Sequence, residues 1–253
     1  MLTQVRKTAV VTGGAAGIGL EIVRHLAAEG MSVLAADRDG AACARASESL
    51  AEYKDRIRVI VADIGTPEGA RAAVDGAAAA FGRLDLLCNN AAAHPFEMVE
   101  GHNIDHWRET FRVNVDGTML CSQAALPHMR KQGGGSIVNI GSISGVLSYA
   151  GGAAYAASKA AVAMFTKTLA LEAGPDGIRV NCICPGTIRH RPASADEDKP
   201  AHIPLGRAGT SADVANLVSF LASDAASYMT GAVITLDGGA TAGRARVSKR
   251  RAP

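Results

Sequence analysis

Short β-branched runs alternate with longer alanine-rich amphipathic stretches, and this alternation limits the fold more than any single motif does. The runs are "TAVVT" from Thr8, "MSVLAA" from Met31, "IRVIVA" from Ile57, "LDLLCN" from Leu84, "SIVNI" from Ser136, "IRVNCIC" from Ile178 and "AVITL" from Ala232. Helices are predicted between them, near 17–29, 40–53, 67–81, 103–130, 152–173 and 211–223. Strand, helix, strand, repeated, predicts an α/β fold: one doubly wound parallel sheet with helices on both faces. Nothing reads as a linker across residues 1–243, which are expected to form one domain. The last ten residues, "RARVSKRRAP", hold five basic side chains and no acid, and without them 21 basic face 24 acidic residues. They are expected to be a solvated basic tail, residues 244–253, on a mildly acidic body, which is no nucleic-acid-binding composition.

Five cysteines without a CxxC pair argue against a disulfide framework and for a reducing compartment, so the cytoplasm is the expected location. Cys182 and Cys184 lie in an apolar run and are expected in the core. No apolar run approaches the length of a membrane span, and the histidines form no ligand spacing, so neither a membrane nor a metal is expected. Trp107, spaced four and seven from Phe111 and Asn114, is expected to pack in the core. His94, just beyond "NNAA", fits a pocket wall and a surface loop equally well.

The first run leads into "TGGAAGIG", Thr12–Gly19. Glycines at 13, 17 and 19 permit a sharp strand-to-helix turn and let a pyrophosphate approach the backbone, while the helix N-terminus offers N–H groups to it. Asp37 stands at the end of the second run, 18 residues after Gly19. A carboxylate there can accept from both ribose hydroxyls of an adenosine and repel a 2′-phosphate, although an acid before "RDGAA" can also cap a helix. Arg38 beside it pulls the other way, toward a phosphate. Asp63 could cap the helix near Pro67, and spacing alone does not decide its role.

Tyr155 and Lys159 in "YAASK" lie four apart, on one face of a helix otherwise built of very small residues. Hydride chemistry on an alcohol needs a base, and a tyrosine with an ordinary pKa near 10 is too weak at neutral pH. A neighbouring ammonium favours the tyrosinate, so Lys159 is expected to lower the Tyr155 pKa. The small neighbours allow a cofactor and a second helix to come close.

Together, TGxxxGIG at Thr12–Gly19, NNAA at Asn89–Ala92, Asn114 in "RVNVDG", Ser142 in "NIGSISG", the Tyr155–Lys159 pair, "NCICPG" at Asn181–Gly186 and "TGAVITLDGG" at Thr230–Gly239 resemble the short-chain dehydrogenase/reductase family from residue 5 to about 240. The resemblance implies a seven-stranded sheet ordered 3-2-1-4-5-6-7 and a homo-oligomer, a tetramer or a dimer. It implies that Gly13, Gly17, Ile18 and Gly19 cradle the pyrophosphate, that Asp37 holds the adenosine ribose and that Asp63 and Ile64 touch adenine. Asn90 would lie on the cofactor's ribose side, with Pro185, Gly186 and Ile188 near the nicotinamide, and Lys159 would also hold the nicotinamide ribose. Asn114, Ser142, Tyr155 and Lys159 would be the catalytic group, with Asn114 holding a water that relays protons from Lys159. The chain departs from the family at Ala92, where glycine is usual, and at His190, where a threonine is frequent, and its closing segment Thr187–Ile203 is short and charged. The expected activity is hydride transfer between NAD, rather than NADP, and a small secondary alcohol or ketone. An NADPH-dependent 3-oxoacyl or carbonyl reductase and a non-catalytic cofactor-sensing protein are the alternatives, and the helices at 103–130 and 152–173 point to a tetramer because they are apolar on more than one face.

Overall fold

The computed structural model describes residues 6–189 and 202–243. Among the described residues, nine strands and seven α-helices follow in chain order: β1 Thr8–Thr12, α1 Gly17–Ala28, β2 Ser32–Asp37, α2 Gly40–Ser49, β3 Ile57–Val61, α3 Pro67–Phe81 and β4 Leu86–Asn89. Then come α4 Ile104–Phe111, α5 Gly117–Lys131, β5 Gly135–Ile140, α6 Ala153–Ala173, β6 Ile178–Pro185, β7 Ile188–Arg189, β8 Gly209–Thr210, α7 Ser211–Ala222 and β9 Val233–Leu236. Seven strands form one parallel sheet in the order β3-β2-β1-β4-β5-β6-β9. This is the expected order; the last strand is numbered nine because the two-residue pair β7–β8 makes a separate small ladder.

Period-two alternation builds both faces of the sheet. Ala9, Val11, Val33, Ala35, Leu86, Cys88, Val138 and Ile140 point to one side, against Ile22, Val23 and Leu26 of α1 and Val214, Val218 and Leu221 of α7. Their neighbours Val10, Leu34, Ala36, Leu87 and Ile137 point to the other, against Ala73, Val74 and Ala77 of α3, Cys121, Ala125 and Met129 of α5, and Leu169 and Ala173 of α6. Small residues on α3 let that helix lie close to the sheet, and each fully buried Leu or Ile contributes about 1.5–3 kcal/mol. Cys182 and Cys184 are buried against Val162, as expected for core cysteines.

Two polar devices lie inside this apolar frame. Asn89 and Asn139 stand opposite each other on β4 and β5; Asn89 Nδ2 donates to Asn139 Oδ1 at 2.8 Å, and Asn139 Nδ2 donates to Thr166 Oγ1 of α6 at 2.9 Å. This ladder ties α6 to the middle of the sheet. The second device refines the helix expected near 103–130: it runs unbroken from α4 into α5, with a π-helical turn, Arg112–Asp116, inside it. Such turns insert one extra residue into a helix and occur often at functional sites. Trp107 is half-buried rather than in the core, stacked on Phe111 with ring centroids 5.1 Å apart and edge-on to His102 at 5.9 Å.

Candidate active site

The strand C-termini end together along one edge of the sheet, and the expected site residues collect there. Gly13 follows β1 with φ at +61°, a conformation that favours glycine, and Gly17 opens α1. A Cβ on Gly19 would overlap the Gly13 carbonyl oxygen and stand 2.5 Å from Asn90 Nδ2. The turn therefore packs backbone on backbone, leaving its outer side clear. Ala16, at the N-cap of α1, supplies no capping side-chain oxygen. A helix start that no side chain caps, behind a turn without protruding side chains, fits the pyrophosphate of a dinucleotide.

Beside this turn lies a cavity of about 340 Å³, lined by Gly13, Ile18, Asp37, Arg38, Asp63, Ile64 and Asn90 among others. Asp37 Oδ2 accepts from the Ala15 N–H at 3.3 Å and Oδ1 from the Asp39 N–H at 3.1 Å. Asp39, not Asp37, caps α2, with Oδ1 accepting from Ala41 and Ala42 at 2.9 and 3.0 Å. The ambiguity at Asp63 resolves in the same way. Thr66 caps α3, whereas Asp63 accepts from the Gly65 N–H at 3.0 Å and from Arg112 Nη2 at 2.9 Å. That guanidinium holds the Asp63 pKa below the ordinary value. Ile64 is nearly fully buried, and Asn90 spends its side-chain N–H groups on the carbonyls of Thr12 and Gly13 at 3.0 and 3.1 Å, locking β4 to the turn.

At the other end of the edge, Ser142 follows β5, and its hydroxyl is close enough to the Tyr155 phenol to favour the tyrosinate. Ser142 Oγ also accepts from the Ser144 N–H at 3.1 Å, which fixes its rotamer. Lys159, one turn beyond Tyr155 on α6, is buried; its Nζ lies 5.6 Å from the centre of the Tyr155 ring and donates to the Ile140 carbonyl at 2.7 Å. Burial lowers the lysine pKa to about 8. The expectation that Lys159 depresses the Tyr155 pKa is not met in this state. Burial raises the phenol pKa, the nearby Ser142 hydroxyl opposes the rise only in part, and Tyr149 and Cys184 add to it. The physical reason is that the tyrosinate loses its hydration while the lysine charge, itself desolvated, is engaged by Ile140.

Asn114 sits in the π-helical turn and is buried. Its Oδ1 accepts from the Ala93 N–H at 2.7 Å, and its Nδ2 donates to the Ala93 carbonyl at 3.0 Å and to Ser158 Oγ at 2.8 Å. Both amide hydrogens are thus used in holding the loop after β4 against α6. His94, in that loop, has its ring 4.1 Å from the Tyr155 ring and its Nε2 hydrogen-bonded to the Tyr149 hydroxyl. Burial, with the nearby Lys159 charge, pushes the imidazole pKa down. His94 is exposed in its loop, as the surface reading has it, while its ring packs on that of Tyr155. Tyr149 was not foreseen; its only sequence signal is an aromatic residue in the glycine-rich approach to Tyr155. Pro185 ends β6, the Gly186 N–H donates to the Leu236 carbonyl at 3.0 Å, and Ile188 in β7 packs on the core. His190 and most of the expected closing segment lie outside the described residues.

A cradle for a dinucleotide at one end and a Ser–Tyr–Lys group at the other define a nicotinamide-dependent oxidoreductase. The profile of a family described as enoyl-(acyl carrier protein) reductase matches residues 13–241. Over 243 residues the chain is 40% identical to a trans-4-hydroxycyclohexanecarboxylate dehydrogenase of Sinomonas cyclohexanicum, covering 94% of this chain and 93% of that one. It is also 40% identical to a 3-alpha-(or 20-beta)-hydroxysteroid dehydrogenase of Mycobacterium bovis, covering 94% and 91%. An NAD+-bound xylitol dehydrogenase structure superposes with a TM-score of 0.85 at 29% identity, covering 94% of this chain and all of that one. The chain belongs to the short-chain dehydrogenase/reductase family. It is an oxidoreductase of secondary alcohols and ketones that uses a nicotinamide cofactor.

Proposed function

We propose that the protein oxidises a small secondary alcohol with NAD+, or reduces the matching ketone with NADH, and that Tyr155 is its general acid/base. The observation that carries this reading is Tyr155 beside the buried ammonium of Lys159, 5.6 Å from its ring centre, with Ser142 next to them at the end of β5. In the oxidation, Ser142 donates to the substrate oxygen and holds it within reach of Tyr155, which takes the hydroxyl proton. When bound, the nicotinamide accepts the hydride, and its positive charge favours the tyrosinate that burial alone disfavours. Lys159 keeps its proton in the lower part of the neutral range and stabilises negative charge at Tyr155 across the 5.6 Å gap. Because the Asn114 side chain is taken up by Ala93 and Ser158, its part is to position the loop of His94, and a water relay from Lys159 would use main-chain oxygens. His94 packs on the Tyr155 ring and limits its rotation.

In the same reading, Gly13, Gly17, Ile18 and Gly19 hold the pyrophosphate, Asp37 the adenosine ribose and Asp63 and Ile64 the adenine. Asn90 braces the turn beneath the ribose, Lys159 binds the nicotinamide ribose, and Pro185, Gly186 and Ile188 flank the nicotinamide. Asp37 supports NAD over NADP because a 2′-phosphate would meet its charge. We place the enzyme in the cytoplasm as a homo-oligomer, a tetramer being expected. Met119 of α5 and Met164 and Leu171 of α6 expose apolar surface on the two helices that the sequence reading assigned to an interface. The names of the relatives favour alicyclic hydroxy compounds and vicinal diols as first substrates.

A panel of such alcohols and their ketones, followed by the absorbance of reduced nicotinamide with each cofactor, tests the reading. No turnover of any alcohol or ketone with either cofactor would sink it. Light scattering that finds a stable monomer at micromolar concentration would remove the oligomer.

A further inference from the structure

The cavity that contains Asp37 also contains its electrostatic opponent. Arg38 lines the same space, and a guanidinium there is the natural partner of a phosphate on the adenosine ribose. Asp37 and Arg38 thus make contradictory demands on the cofactor. The conflict is settled from outside the motif. Arg38 Nη1 donates to Glu109 Oε1 at 2.5 Å, and Glu109 belongs to α4, 71 residues away in the chain.

Glu109 is itself held. Arg112 donates to its Oε2 through Nε at 2.7 Å and to its Oε1 through Nη2 at 2.9 Å, and the same Nη2 reaches Asp63 Oδ2 at 2.9 Å. Arg38, Glu109, Arg112 and Asp63 therefore form a chain of alternating charge that begins and ends on residues lining the cavity. The fork of Arg112 orients the Glu109 carboxylate, so Glu109 cannot swing inward with Arg38 without giving up two bonds of its own. Counting Asp37, three carboxylates face two guanidiniums, so this cluster is short of positive charge as long as Glu109 is present.

We propose that Glu109 is a specificity-determining positioning residue, which holds the Arg38 guanidinium against α4 and leaves the Asp37 charge unanswered at the ribose 2′ position. This rests on the reading that Asp37 faces the adenosine ribose. Glu109 needs no contact with the cofactor: it acts through Arg38. Its removal should free Arg38 to meet a 2′-phosphate while leaving Asp37 and the glycine turn as they are. The freed contact is a partly exposed one, because Arg38 has 55% and Glu109 35% of its side chain accessible, so its effect is modest and screened by salt.

Calorimetric dissociation constants for NAD+ and NADP+ decide the matter in the parent, Glu109→Gln, Arg38→Ala and the double variant, each at low and high salt. Gln keeps the shape of Glu109 and one acceptor, and thermal melts confirm that each variant is folded. Glu109→Gln should tighten NADP+ binding by roughly three- to tenfold, leave NAD+ within about twofold, and lose most of the gain at high salt. Arg38→Ala in the Glu109→Gln background should abolish the gain. An unchanged NAD+/NADP+ ratio in Glu109→Gln overturns the proposal. So does an equal gain in the double variant, which would place the repulsion in Glu109 itself. A parent that binds NADP+ more tightly would refute the reading of Asp37, whereas the shift caused by Glu109→Gln is read separately from it.

Discussion

Lys159→Met exchanges a buried ammonium for a thioether of similar length, and the structure predicts that the variant is inactive yet not destabilised. The fall of the lysine pKa from 10.5 to about 8 sets the magnitude. At roughly 1.36 kcal/mol per pKa unit, keeping the proton in the folded state at pH 7 costs about 3 kcal/mol. Methionine removes that cost and leaves the Ile140 carbonyl without its donor, a loss of about 1–3 kcal/mol. The net change at pH 7 is therefore between zero and about 2 kcal/mol in favour of the variant. The sign of the pH dependence follows from linkage. Between pH 8 and 10.5 the unfolded chain binds this proton and the folded chain does not, so the parent gains stability as pH rises, and the variant lacks that gain. The stability of Lys159→Met relative to the parent should accordingly fall by about 2 kcal/mol between pH 7 and pH 9.5. Urea unfolding of both cofactor-free proteins at the two pH values measures this difference, with contributions from all other groups cancelling. If the parent and the variant respond equally to pH, Lys159 is not disfavoured by burial, and its role as a charge poised near neutrality fails.

Three further outcomes are expected. Tyr155→Phe should fold and bind NAD+ normally while losing roughly 10²–10⁴ in turnover; more than a tenth of the parental rate would mean that the proton goes elsewhere. Asp37→Ala should erase an NAD preference of at least about tenfold in kcat/KM, since Asp37 would no longer accept ribose hydrogen bonds or repel a 2′-phosphate. Gly19→Ala places a methyl group on the Gly13 carbonyl, so the turn must open; calorimetry should show loss of cofactor affinity, and unimpaired binding would show that the turn is softer than its packing implies.

Local features of the chain express the sheet and bring half of the candidate site residues together. Alternation at Ala9–Val11 and Val33–Ala36 expresses two buried faces, and the Gly13 turn and the Tyr155–Lys159 spacing depend only on neighbours in sequence. Legibility ended where a side chain is claimed by a distant one. The Lys159 bond to Ile140, the His94–Tyr149 contact and the grip of Glu109 on Arg38 each join segments that only the folded sheet brings together. The Tyr155 pKa went astray for the same reason. Sequence spacing shows the neighbouring charge but not the burial, which here outweighs it. The π-helical turn carries no residue-type signal in "RVNVDG"; it shows only as a shift in phase between the faces that α4 and α5 bury, which the folded packing reveals.

That turn ties two distant duties together. Arg112 and Asn114, both within it, point to opposite ends of the molecule's working edge, one to Asp63 and Glu109, the other to Ala93 and Ser158. Deleting one residue from Arg112–Asp116 would give a more regular helix and a better backbone ladder. It would also rotate everything beyond it by about 100°, turning Cys121, Ala125 and Met129 of α5 out of the core. The irregularity is therefore a register key. A change that perfects this helix locally would misalign a wall of the core, the carboxylates of Asp63 and Glu109 and the loop that carries His94, all at once.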